Sequence, residues 1–297
     1  MRPRTTRLPL YAAGLTAILA AALAGCAAAS SGTSATGPGT TSAAGSSPAS
    51  AVDAVKLAAK TTSGANSFTA AMSLQATGKS GSAENVSMTA SMAEQLGPSL
   101  VAEVRIGTLS AAGQSLPGGL TELVTPSTLY LQWSFLTQEL HTGKPWLAIP
   151  VSDLSNGSGV NLGQIFSQAT SNSPLNESQL LAGASDVQRV GTGTVDGVRV
   201  TEYRGTVSIE KGMQYLSGSA KTALRQQITA AGLTTATFTV WIDSSQVMRK
   251  AVITERGTAL TEVITIAITS LNQPVNVQVP AADQTSTLPG GALGSLG

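Results

Sequence analysis

Cys26 is the residue with the most specific chemistry, and it is the only cysteine among 297 residues. It follows Leu23-Ala24-Gly25. A lone cysteine excludes an intrachain disulfide, a CxxC redox pair and a Cys-rich zinc site. His141 is likewise the only histidine, which excludes a multi-histidine metal site. It is also the one candidate base for a Ser-His or Cys-His hydrolase. Thr142-Gly143 after it reads as an exposed loop. There is no GxSxG elbow. Gly191-Thr192-Gly193 precedes Asp196-Gly197, a hairpin signal rather than a phosphate-binding GxGxxG. Asp196, Asp243 and Asp283 sit at or near turns, where Asp bonds its own backbone. Arg189, Arg199 and Arg204 share one hairpin and suit either an anionic headgroup or plain solvation. No carboxylate pair is spaced for acid–base work and no EF-hand-like loop occurs. The expectation is a non-enzyme with no catalytic residue, metal or cofactor.

What precedes Cys26 explains it. Arg2, Arg4 and Arg7 open the chain without an acidic residue, and Leu8 to Leu23 is apolar and Ala-rich. This is a three-part export signal over residues 1–25. Its end resembles the bacterial lipobox, which makes Cys26 the lipidation site. Two readings stay open beside it: an uncleaved apolar anchor, or conventional cleavage after Ala22-Leu23-Ala24. Residues 26–50 are the lipidated Cys and a tether of Ala, Ser, Thr, Gly and Pro, with nothing to build a core. As a flexible coil it reaches roughly 25–30 Å. Expected localisation is the extracytoplasmic face of the cell membrane, held by lipid. Acyl chains on one cysteine anchor more firmly in pairs than singly.

Seventeen basic and sixteen acidic residues give a net charge of +1. Losing residues 1–25 removes three Arg and no acid, which turns +1 into −2. Nucleic-acid binders carry a basic surplus, so nucleic acid is not an expected partner. Hydrophobic residues make up 42% and aromatics only 4%, so the core must be aliphatic.

One folded unit is expected over 51–283, followed by a soft tail over 284–297. Val52, Val55 and Ala59 make 51–63 a short amphipathic helix. From Ser67 the period becomes two. Strands are expected around 67–77, 86–92, 100–106, 122–125, 129–132 and 144–149, with one face apolar and one wet. Short helices follow at 161–169 and 174–181. Strands 187–195 and 198–207 flank Asp196-Gly197. A helix over 210–231, broken near Gly218, leads to strands at 235–243, 247–254 and 261–271, with a last edge strand at 274–280. The fold class is α+β: an antiparallel sheet with its few helices on one face.

Several stretches resemble the LppX–LprG family of actinobacterial lipoproteins, relatives in fold of the lipoprotein carrier LolA. They are Gly191-Thr-Gly-Thr-Val-Asp-Gly-Val198, Thr201-Glu-Tyr203-Arg-Gly-Thr-Val207, Val240-Trp-Ile-Asp243, Val247-Met-Arg-Lys250 and Gln273-Pro-Val-Asn-Val-Gln-Val-Pro280-Ala-Ala-Asp283. The resemblance implies a half-barrel, a curved sheet with helices over its concave face and an apolar cavity between them. Strand alternation would line that cavity with Phe68, Met72, Leu74, Met88, Met92, Val104, Phe238, Val240, Ile242, Ile264 and Ile266. The implied function is binding an acylated lipid or glycolipid and carrying it across a periplasm-like space. Implied partners are that lipid, the cytoplasmic membrane and a membrane exporter. The alternative is a non-carrier envelope lipoprotein, a sensor or accessory interaction module with a packed interior.

Overall fold

The computed structural model describes residues 50–79, 85–95, 101–115, 119–150, 178–216, 221–222, 225, 235–258 and 260–287. Helix α1 (Ala51–Ser63) leads into strands β1 (Ser67–Gly78), β2 (Val86–Gln95) and β3 (Val101–Ala111). Next come β4 (Gln114–Ser115), β5 (Leu120–Val124), β6 (Thr128–Gln132), helix α2 (Ser134–Glu139) and β7 (Trp146–Pro150). After these follow β8 (Ala184–Val195), β9 (Val198–Ser208), α3 (Ile209–Gly212), β10 (Thr235–Asp243), β11 (Met248–Arg256), β12 (Leu260–Leu271) and β13 (Thr285–Thr287).

All the described strands join one sheet in the order β13-β7-β6-β5-β3-β2-β1-β12-β11-β10-β9-β8, with β4 beside β3. Every pairing is antiparallel except β13 with β7. The chain therefore starts in the middle of the sheet: β1 lies between β2 and β12. Register shifts occur at Thr69/Ala70, Thr89/Ala90 and Trp241/Ile242, and such bulges bend and twist their strands. Two more interrupt β8, between Ser185 and Gln188 and between Arg189 and Gly191. This is the expected α+β arrangement, with an antiparallel sheet and helix α1 on one face.

Alternation puts the apolar side chains of adjacent strands on that face. They form two clusters. One covers β1, β2, β3, β5, β6, β7 and β12 and includes Phe68, Met72, Met92 and Ile266. The other joins β8 to β11 with Val55, Ala58 and Ala59 of α1. Ser50 caps α1: its Oγ accepts from the Asp53 amide at 3.1 Å and donates to Asp53 Oδ2 at 2.7 Å. Near the other end of the helix, fully buried Thr62 accepts from the Met248 amide at 3.0 Å, tying α1 to β11.

The ends of the strands follow turn chemistry. Asp196 and Gly197 have φ of 48° and 79°, the hairpin geometry expected for that dipeptide. Asp243 organises the β10–β11 turn. Its Oδ1 accepts from the Ser245 and Val247 amides at 2.8 and 3.0 Å, and its Oδ2 accepts from Arg249 Nε at 2.7 Å.

Four expectations need correction or completion. No strand forms over 274–280; Pro274 and Pro280 lack the donors a ladder needs. The last strand is instead Thr285–Thr287, inside the stretch expected to be a soft tail. It is held by Lys144, whose Nζ donates to the Ala282 and Thr285 carbonyls at 3.1 and 2.9 Å. The helix expected over 210–231 begins as α3 and a 3₁₀ turn, Met213–Tyr215, is interrupted at Leu216, and is helical again at Lys221, Thr222 and Arg225. Most of its remainder lies outside the described residues, as do 161–169 and most of 174–181. Helix α2 was not anticipated, because no apolar period announces six residues.

Gly205 on β9 supports the aromatic anchor of the second cluster. A Cβ there would sit 2.7 Å from Phe238 Cζ and 3.1 Å from the Ser185 carbonyl. Gly205→Ala should therefore lower stability by about 1–3 kcal/mol. Denaturant unfolding checks this, with a lower midpoint at unchanged slope; an unaltered midpoint would show that Phe238 repacks freely.

Candidate functional site: the apolar face of the sheet

Cross-strand register turns the apolar face into transverse rows. One runs Leu147, Leu131, Glu122, Val104, Met92, Ala70, Ile268. The next runs Leu120, Ile106, Ala90, Met72, Ile266, Ala251, Val240. A third includes Met88, Leu74, Ile264, Ile253 and Phe238. A fourth runs Ala76, Glu262, Glu255, Ala236, Val207. Residues directly opposite share a face, so each row is a line of touching side chains.

All eleven residues expected to line a cavity lie on this face. Phe68, Met72, Met88, Met92, Val104, Ile264 and Ile266 are buried in the first cluster, and Leu74 packs against it. Phe238, Val240 and Ile242 belong to the second cluster, under α1. The structure thus brings them together as two neighbouring groups rather than one. Methionine and alanine concentrate in the first: Met72, Met88 and Met92 alternate with Ala70, Ala90 and Ala102. Thioethers are flexible and alanines leave room, so this half adapts its shape more readily than an aromatic core.

A cavity of about 720 Å³ opens on the opposite, polar face. Its floor includes Ala71, Ser91 and Ala267, with Arg105 and Lys250 at its sides and the β8–β9 turn, Thr194–Asp196, across it. Of the expected lining only Met72 borders it. Arg105 pairs with Glu103 at 2.5 Å, and Lys250 Nζ stands 5.2 Å from the Trp241 ring.

The acids on the apolar face escaped the sequence reading. Glu122 is 6% exposed and sits between Val104 and Leu131, with no hydrogen bond or ion pair among the described residues. Burial pushes its carboxyl up to about 8. Glu255 and Glu262 are direct cross-strand partners on β11 and β12. Burial raises both, and repulsion from Glu262 helps bring Glu255 to about 7. Glu94 is fully buried beside Phe68. A signal was available: each acid occupies the apolar phase of its strand, as in Leu120-x-Glu122-x-Val124.

Other residues singled out in the sequence are peripheral. His141 is an exposed loop residue with φ of 49°. Arg204 pairs with Glu202 at 2.9 Å, and Arg199 borders a separate cavity of about 230 Å³ with Asp243. Cys26 lies outside the described residues. Among the described residues no group of three His, Cys, Asp or Glu is placed to hold a metal. No described helix is long and apolar enough to cross a membrane.

No family model matches the chain. An uncharacterized 31.2 kDa protein in the rplA-rplJ intergenic region of Streptomyces griseus is 30% identical over 149 residues, 48% of this chain and 48% of its own. The chain thus spans about half the length of the curated relative it matches. Among solved structures it is similar to the lipoprotein LppX of Mycobacterium tuberculosis, with a TM-score of 0.42 and 18% identity over 77% of this chain and 98% of that one. LprF from Mycobacterium bovis gives 0.45 and 15% over 78% and 97%. A LolA superfamily protein from Nitrosomonas europaea gives 0.27 and 10% over 77% and 94%.

The raised carboxyls make a pH prediction. An acid whose folded pKa exceeds its unfolded value holds a proton in the folded state that the unfolded chain has already lost. Stability therefore falls as pH rises from about 4.5 to about 8, by up to about 1.4 kcal/mol per unit for each such group. Thermal unfolding between pH 5 and pH 9 should show the midpoint falling, and Glu122→Gln with Glu255→Gln should flatten the curve. A midpoint that climbs with pH would contradict these burial assignments.

Proposed function

We propose that the protein is a lipid-anchored envelope lipoprotein that binds an acylated lipid against the apolar face of its sheet and carries it away from the membrane. The carrying observation is the breadth of that face. It runs in register from β7 to β12, with methionine and alanine at its centre. A chain laid along it leaves water, a gain of about 0.8 kcal/mol for each buried CH₂. No covalent chemistry is needed. Lipidation of Cys26 and the tether behind it would keep the domain within a few nanometres of the bilayer that supplies the ligand. The similarity to LppX and LprF is consistent with this reading.

Two experiments test it. Cys26→Ala should move the protein from the membrane fraction to the soluble fraction; retention in the membrane would remove the anchor. Native mass spectrometry of that soluble protein from its own host should show one or more bound acyl lipids. Ala90→Phe, at the centre of the methionine-rich cluster, should cut the lipid-bound fraction several-fold. Wild-type protein that is lipid-free throughout would end the carrier reading.

A further inference from the structure

We propose that Glu122 is the point at which this face holds the polar end of its ligand, its carboxyl hydrogen-bonded to an acyl-ester carbonyl. The inference rests on the carrier reading above and names the chemical class it would select: esterified acyl chains rather than bare hydrocarbon.

The geometry is a carboxyl in the wrong place for a core. Glu122 occupies an apolar position of β5, directly between Val104 of β3 and Leu131 of β6. Its own strand gives it Leu120 and Val124 as same-face neighbours, both buried. The next residue along its row is Met92. It is nine-tenths buried, and the described residues offer it no donor, acceptor or cation. Placing a carboxyl in an apolar row costs desolvation that a leucine at the same position would not incur. Glu122 instead sits beside Val104 and Met92, two residues of the expected lining. A ligand group that satisfies the carboxyl when bound accounts for its position.

Its surroundings decide the ligand's chemistry. On this face β3 presents Ala102, Val104 and Ile106, and β6 presents Leu129 and Leu131. Leu136 of α2 and Leu140, which follows its last residue, pack against the same cluster. Glu94, one strand beyond β3 and one row along, is the other titratable group there among the described residues. Glu103 and Arg105 point to the opposite face and pair with each other. No described cation offsets a negative charge on Glu122. Burial accordingly holds it protonated at neutral pH, able to donate. A neutral carboxyl in an apolar wall suits an uncharged acceptor, and an ester carbonyl next to two acyl chains is one.

The test compares ester with ether. The chain from residue 26 onward, carrying Cys26→Ala and stripped of lipid, is loaded from dioleoylphosphatidylcholine vesicles. The probe is a pyrene-tailed diacylglycerol or its dialkyl ether analogue, which lacks the carbonyls. Wild type should take up the ester about tenfold better than the ether, the worth of about one good hydrogen bond. Glu122→Leu should lose that preference while still taking up the ether. Glu122→Gln, whose amide donates at every pH, should keep it. The wild-type preference should fade as pH rises through about 8, while that of Glu122→Gln should not. Equal uptake of ester and ether by wild type overturns the inference, as does a preference retained in Glu122→Leu. Should Glu122→Leu not fold, the pH profiles of wild type and Glu122→Gln decide alone, and coincident profiles overturn it. Refusal of both probes by wild type is a different result: it removes the carrier reading on which the inference stands.

Discussion

The strand's period of two, kept in register from one strand to the next, is the constraint on which everything else depends. Each residue's face is settled by its parity, and cross-strand pairing extends that choice across the whole sheet. A slip of one residue in β1 would move Ala70, Met72 and Leu74 to the wet side and bring Thr69, Ala71 and Ser73 inward. The polar face guards against it. Thr69 Oγ1 lies 2.7 Å from Thr269 Oγ1, Thr89 Oγ1 is 2.7 Å from Thr108 Oγ1, and Ser87 Oγ is 2.8 Å from Ser110 Oγ. These hydroxyl pairs form only in the native register. Bulges then bend the registered strands without changing which face is apolar across most of the ladder.

What was legible in the sequence follows from how local its cause is. Helix α1 and β10 match their expected spans, because a cap or alternation announces each one. The Asp196-Gly197 turn was equally plain, since positive φ at both positions selects those residue types. Topology was not legible: that β1 pairs with β12, some two hundred residues away, depends on packing no local pattern encodes. The same holds for β13, where three residues of Thr and Ser carry no apolar signal and Lys144 provides the hold. Pro274 and Pro280 could have warned against the strand expected there.

The expected lining residues rest on alternation, and all of them share one face of the sheet. Their division between two clusters was not foreseeable, because α1 covers only the β8–β11 end. The acids were overlooked for a different reason. Charged residues are ordinarily solvated, so residue type alone does not mark Glu122, Glu255 and Glu262 as interior. Parity places all three inside. That conflict between residue type and phase is where sequence consistency fails, and such failures tend to collect at functional positions.

The interrupted β8 has a consequence for crowding. Wherever copies of a sheet protein are concentrated, their sheet edges meet. Open sheets have two edges, and an unbroken edge strand is a template for the next copy. Here β13 is three residues long, and β8 is broken twice, with Asp186 at φ of 52° beside one break. Neither margin offers a long, flat run of free amides and carbonyls. Crowded copies can therefore lie side by side without zipping into a continuous sheet, and each domain keeps its own apolar face to itself.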